Sequence, residues 1–308
     1  MHVRAVALTV ALAATLPAFA DAPNVATDIP PVHSLVARVM QGVGEPALIM
    51  PPGASPHGYA MRPSEAAALA DAEAVIWMGD ALTPWLDRAI DALSSEAVSL
   101  ELLEARGASL LGYREGAAFG RHDGEEEHAH GEHADGIDPH AWLDPENAKL
   151  WLGAIAAALA EADPENAQTY ARNAAEGRAE LDALLAELSE MLDPVRGRPF
   201  IVFHDAYHYF EHRFGMEAAG AISLGDASSP SPARIGEIRE TVRETGARCV
   251  FGEPQFAPDL IETVVEGTEA RAATLDPLGA SLNPGPELYV ELIRRLAGDL
   301  LDCLGPAS

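Results

Sequence analysis

The chain has 308 residues, close to half of them apolar, and carries 48 acidic against 20 basic side chains, a formal charge of −28 at pH 7. So acidic a surface excludes nucleic acid and anionic lipid as partners, since their phosphates repel it, and it favours solubility and the attraction of cations. The length suits two domains of ordinary size, and the apolar content allows each its own core.

Residues 1–20 place Arg4 ahead of the apolar run Ala5 to Leu16 and end in Ala18-Phe19-Ala20. That is the pattern of a secretory signal peptide, with small residues where the peptidase cuts. The expected mature protein starts at Asp21, has no Cys there to take a lipid, and is free in the periplasm. Removing the peptide takes away Arg4 and no acid, so the negative excess deepens by one charge. No later stretch reaches the roughly 20 apolar residues of a membrane-spanning helix.

From there short apolar runs alternate with helix-length segments. Strands are expected over Asn24 to Ile29, Ala47 to Met50, Ala74 to Met78 and Val98 to Leu100, with helices over Val32 to Gln41, Ser64 to Leu69 and Leu82 to Leu93. Asp-Pro-Glu-Asn-Ala occurs twice, at Asp144 to Ala148 and Asp163 to Ala167. Each copy reads as a helix start, with Asp as N-cap, Pro where a missing N–H is harmless, and Glu at the positive end of the dipole. The first helix sets Trp151, Ile155 and Leu159 on one face. The second runs to about Leu192 with Leu181, Leu185, Leu188 and Leu192 in one stripe. At about 1.5 Å per residue it is on the order of 40 Å long, enough to back two lobes and hold them stiffly.

After Pro194 and Gly197 a second alternating series begins. Strands are expected over Pro199 to Phe203, Glu217 to Ile222, Cys249 to Phe251 and Ala270 to Leu275, with helices over Tyr207 to Arg213, Ala233 to Thr245, Pro258 to Glu266 and Pro286 to Leu301. The fold class is α/β, two lobes each built on a mostly parallel sheet flanked by helices and joined by one long rigid linker helix. The expected limits are 21–163 for the N-terminal lobe, 164–193 for the linker and 194–308 for the C-terminal lobe. Cys249 and Cys303 are an even number in an oxidising compartment, which suits a disulfide or two buried thiols.

Residues 121–136 are almost all His, Glu, Asp, Gly and Ala, a composition no core absorbs. His122, His128, His130 and His133 among carboxylates read as a weak, rapidly exchanging metal collector. Ordered chain resumes at Asp138-Pro139-His140-Ala141-Trp142-Leu143-Asp144-Pro145. In open α/β sheets ligands sit beyond the carboxyl ends of strands, and His57, His140, His204 and Asp276 all fall there, two from each half. Three imidazoles and a carboxylate suit zinc. Asp205 and Asp144 stand beside expected ligands and could orient their rings, while His33 reads as structural. A competing pattern is His208-Tyr209-Phe210-Glu211-His212, which matches the H-x-x-E-H of an inverted zinc peptidase with Glu211 as general base. No GxSxG, P-loop or dinucleotide fingerprint is present.

These segments in this order resemble the zinc-binding receptors of bacterial ABC importers, the cluster A-I metal-binding proteins. The resemblance rests on Ile29 to Val36, Pro56-His57-Gly58-Tyr59, the acidic His-rich tract, Asp138 to Pro145, Phe203-His204-Asp205-Ala206-Tyr207, Gly252 to Phe256 and Leu275 to Gly279. It implies two lobes on one long helix, a single zinc ion held between them by His57, His140, His204 and Asp276, a Cys249–Cys303 disulfide, and delivery to an integral-membrane permease by a receptor that is a monomer and not an enzyme. Manganese members carry a carboxylate where this chain has His204, so that residue favours zinc over the manganese alternative. Pro56 stands where some zinc members have an acidic residue. A surface adhesin or passive metal store is a third class, disfavoured by the missing lipid anchor.

Overall fold

The alternation of apolar runs and helix-length segments resolves, in the computed structural model, into two four-stranded parallel sheets; the residues described are 22–114, 119, 136–223, 230–256 and 259–306. The expected signal peptide and the four histidines of the 121–136 tract lie outside them. In the N-terminal lobe β1 (Val25–Thr27), β2 (Ala47–Leu48), β3 (Ala74–Trp77) and β4 (Val98–Glu101) are ordered β2-β1-β3-β4. In the C-terminal lobe β5 (Phe200–His204), β6 (Ala218–Ser223), β7 (Cys249–Gly252) and β8 (Arg271–Thr274) are ordered β6-β5-β7-β8. The two sheets thus repeat one topology. β3 and β5 are buried along their whole length, as inner strands of parallel sheets covered by helices must be.

The helices are α1 (Pro30–Met40), α2 (Pro63–Ala70), α3 (Pro84–Leu93), α4 (Pro145–Ala162), α5 (Ala167–Leu192), α6 (His208–Phe214), α7 (Pro232–Thr245), α8 (Asp259–Val265) and α9 (Leu288–Leu304). Proline in the first turn of α1, α2, α3, α4 and α7 explains why those helices begin where they do. Asp144 caps α4 as expected, its carboxylate accepting the Glu146 N–H at 2.9 Å. None of the described helices is long and apolar enough to cross a membrane.

Three apolar clusters hold the layers together. One covers the outer face of the N-terminal sheet with Leu69, Leu86 and Ile90 of α2 and α3, and one the outer face of the C-terminal sheet with Ile238, Val242, Ile261 and Val264 of α7 and α8. The third and largest is shared: residues of α1, α4, α5 and α9 pack with the inner faces of both sheets into one continuous core. The α5 stripe is Tyr170, Ala174, Leu181, Leu184, Leu188 and Leu192. Leu184, 1% exposed, takes the place expected of Leu185, which is half-buried; the buried face also takes in Asn173 and Gly177, and with them it is centred nearer 184 than 185. At Gly177 a Cβ would lie 3.0 Å from Leu152 Cδ1, so the missing side chain lets α5 approach α4 closely. The α5 helix spans about 39 Å at 1.5 Å per residue.

Cys249, opening β7, is bonded to Cys303 near the end of α9, across a sequence separation of 54. Closing a loop of that size removes entropy from the unfolded chain equivalent to about 4 kcal/mol. The double substitution Cys249→Ser, Cys303→Ser is therefore expected to lower unfolding free energy by about 4 kcal/mol. Urea unfolding of the metal-free protein measures this, and an unchanged midpoint would show that the bridge does not limit stability.

Candidate metal centre

Loops and strand ends of both lobes bring three histidines to one cavity. His57 lies in a short 3-10 turn, Pro56–Gly58, in the loop after β2. That turn is pinned by the Trp85 indole N–H, which donates to the Pro56 carbonyl at 2.9 Å. His140 follows β4 and the tract, in an Asx-type turn where its backbone N–H donates to Asp138 Oδ1 at 3.0 Å. His204 is the last residue of β5. The rings of His57, His140 and His204 line one cavity together with Trp142, Gln255 and Phe256. His140 and His204 are each only 5% exposed, and His57 is half-buried.

The two buried imidazoles are oriented from behind. His140 Nδ1 lies 2.7 Å from Asp138 Oδ1, and His204 Nδ1 lies 2.6 Å from Glu253 Oε1. A carboxylate accepts the Nδ1 hydrogen and so selects the tautomer whose Nε2 carries a lone pair. Those Nε2 atoms face each other at 3.3 Å. Two nitrogens bound to one tetrahedral zinc at about 2.0–2.1 Å stand about 3.3–3.4 Å apart. The pair is therefore already at the spacing a zinc ion imposes. The His57 and His140 ring centroids are 5.7 Å apart. Among the described residues, no group of three or more His, Cys, Asp or Glu has the geometry to hold an ion; the His140 and His204 centroids are 5.2 Å apart, so the His57 ring stands slightly farther from His140 than His204 does.

Asp276 occupies the equivalent place after β8, but its side chain faces a neighbouring cavity walled by Arg295 and Asp299. Its Oδ1 accepts the backbone N–H groups of Leu278 at 3.1 Å and Gly279 at 2.9 Å. The adjacent Pro277 and Leu278 do line the histidine cavity. His33 is structural, as expected, with Nε2 3.1 Å from the Pro46 carbonyl.

The orienting carboxylates differ from those that sequence adjacency suggested. Asp144 caps α4 and forms a two-pronged pair with Arg213, both contacts at 2.7 Å. Asp205 is bound by Arg114, whose guanidinium also meets Glu211 at 2.7 and 2.9 Å. Asp138 and Glu253 do the work instead. Asp138 sits two residues before its histidine, and Glu253 follows directly after β7, one strand away from its own. Burial pushes the Asp138 carboxyl up to about 7, the His140 N–H being the main influence pulling it back. Burial likewise raises the Tyr207 phenol, with Glu253 and Asp276 adding to the effect.

Glu211, the expected base of the H-x-x-E-H reading, is fully buried, held by Arg114 and by the Ala218 N–H at 2.8 Å. Its carboxylate is already committed to these partners, which does not favour a role as general base. Gln255 adds a feature the sequence did not flag: both amide atoms are buried in the cavity wall and neither has a hydrogen-bond partner. A buried unpaired amide is costly and calls for an explanation in the site.

The profile of the zinc-uptake complex component A periplasmic family, ZnuA, matches residues 25–303. The chain is 44% identical over 305 residues to the high-affinity zinc uptake system protein ZnuA of Brucella abortus (strain 2308), covering 91% of each. It is 44% identical over 313 residues to the protein of the same name in Paracoccus denitrificans (strain Pd 1222), covering 95% of each. A crystal structure of ZnuA superimposes with a TM-score of 0.74 at 28% identity, over 91% of this chain and 100% of that one.

If Asp138 and Glu253 set the tautomers, Asp138→Asn and Glu253→Gln should each weaken zinc binding by about 10–100-fold while leaving the number of tight ions unchanged. Competition against a chromophoric chelator reads this, and wild-type affinity in both variants would remove the carboxylates from the site.

Proposed function

Since the chain belongs to the periplasmic zinc-uptake component A family, we propose that His57, His140 and His204 hold zinc between its lobes, with Asp276 as the fourth donor. The protein captures zinc in the periplasm for an ABC importer, and zinc is its cargo. The observation that carries the ligand assignment is the 3.3 Å separation of two Nε2 atoms whose Nδ1 partners are carboxylates. With both Nδ1 atoms turned to carboxylates, the two Nε2 atoms face each other, and a cation takes the place of the proton they share. Nitrogen donors there favour zinc over manganese, which prefers oxygen.

Binding completes the set by local movement. The His57 turn closes toward the ion, and Asp276 exchanges its two backbone N–H contacts for the metal. The Gln255 amide then has a partner in a water on the ion or in the ion itself. The negative charge of Asp138 and Glu253 behind the rings offsets that of a divalent ion taken out of water.

The finer points of the reading are these. Residues 1–20 direct export and are removed, the mature monomer is free in the periplasm without a lipid, and it hands zinc to the membrane permease without catalysing a reaction. His122, His128, His130 and His133 collect zinc weakly ahead of the interlobe site. The lobes extend over 21–163 and 194–308.

Two measurements test this. Calorimetric titration of the metal-free mature protein should show one tight zinc site, with manganese far weaker, that survives deletion of residues 121–136; loss of that site on deletion would mean the tract supplies a ligand. Because protons compete with zinc for the imidazoles, apparent zinc affinity should fall as pH drops below about 6.5, with more than one proton displaced per ion. An affinity independent of pH between 7 and 5.5 would rule out a histidine site.

A further inference from the structure

The H-x-x-E-H segment that interlobe zinc binding leaves unused carries a second arrangement of metal-binding groups. α6 begins at His208, so His208 and His212 stand one turn apart on one helical face. Both line a cavity on the flank of the C-terminal lobe, with Arg114, Phe119 and Glu217. Imidazoles at i and i+4 are the spacing with which a helix chelates a divalent ion.

A separate observation points the same way. His208 Nδ1 is buried without a hydrogen-bond partner and lies 3.8 Å from Asp138 Oδ2, which is also buried and unpartnered. A metal-binding histidine is commonly held like this, one ring nitrogen turned to a buried carboxylate and the other left for the ion. Asp138 thus stands behind two imidazoles, with Oδ1 toward His140 and Oδ2 toward His208. The cavity wall does not repel a cation, because the Arg114 guanidinium is paired with two carboxylates, Asp205 and Glu211. That pairing also keeps Glu211 off the ion. Among the described residues no third His, Cys, Asp or Glu completes the set, so water fills the other positions.

We propose that His208 and His212 form a second, outer site for a divalent cation of the zinc type, separate from the ion between the lobes. With two protein ligands it binds more weakly than the interlobe site and exchanges faster.

The test uses the full mature chain with His122, His128, His130 and His133 each changed to Ala, so that the tract adds no sites. Equilibrium dialysis against buffered zinc should give two equivalents, the second weaker. His212→Ala, at an exposed position, should remove the second equivalent and leave the first within about two-fold; His208→Ala should also remove the second. His57→Ala should weaken the first and leave the second, so that failure of the interlobe assignment and failure of this one are read separately. A second equivalent that is absent from the start, that persists in both His208→Ala and His212→Ala, or that disappears with His57→Ala would overturn the proposal.

Discussion

The arrangement on which the site depends is a pair of imidazole nitrogens held 3.3 Å apart by carboxylates on their far sides. Without a cation the two nitrogens lie within hydrogen-bonding distance, a contact that needs a proton on one of them. With a cation, each imidazole makes a bond at its natural length and each carboxylate remains hydrogen-bonded. With Asp276 as the proposed fourth donor, three carboxylates and a divalent ion leave one net negative charge, so the ion's charge is fully offset despite the low exposure of the rings. The chemistry of selection follows from the same geometry. Small nitrogen donors at a spacing fixed near the tetrahedral edge suit zinc, whereas a larger ion that wants more oxygens would have to spread them.

That spacing is only as constant as the position of the lobes, since His140 and His204 come from opposite sides of the gap. The structure holds the lobes by more than the α5 helix. A single apolar core runs through α1, α4, α5 and α9, and polar contacts stitch its edge. The Trp142 indole donates to the Pro277 carbonyl at 2.8 Å, the Tyr289 hydroxyl to the Trp142 carbonyl at 2.7 Å, and Arg213 pairs with Asp144. Ser34 on α1 donates to Pro286 and accepts from the N–H of Tyr289, which ties α1 to α9. Opening the gap as a hinge would break all of these together. Movement is cheaper in the loop around His57, where the ring is half-buried and Pro52, Gly53, Gly58 and Ala60 are exposed.

Much of this was legible in the sequence because it follows periodicity and position. The strands and helices fall within a few residues of their expected limits, and His57, His140 and His204 were visible as histidines just past strand ends. The orienting carboxylates were not. Adjacency suggested Asp144 and Asp205, yet Asp144 is taken up by a helix N-terminus and Arg213, and Asp205 by Arg114. Glu253 reaches His204 from the next strand, a relation set by sheet register that one sequence does not display. The available signal was that Glu253 falls just past a strand, as the expected ligands do. Likewise Leu184 against Leu185 was a choice between two neighbours on a helix, decided by which points into the shared core.

The H-x-x-E-H segment shows why a local pattern is a weak guide to chemistry. The motif specifies a helical turn and three polar side chains, but what they can do depends on the side of the helix that is buried. Here Tyr209 and Glu211 face inward, with Tyr209 donating to the Asp138 carbonyl and Glu211 neutralising Arg114. A glutamate held in a buried ion pair is poorly placed to take a proton from water, so the catalytic reading is not favoured. The two histidines border the flank cavity without such an ion pair to an arginine. One short helix therefore braces the lobes with its inner face and presents two imidazoles beside the carboxylate that orients His140. In a chain with so large an excess of acids, such a pair lies within a field that already gathers cations.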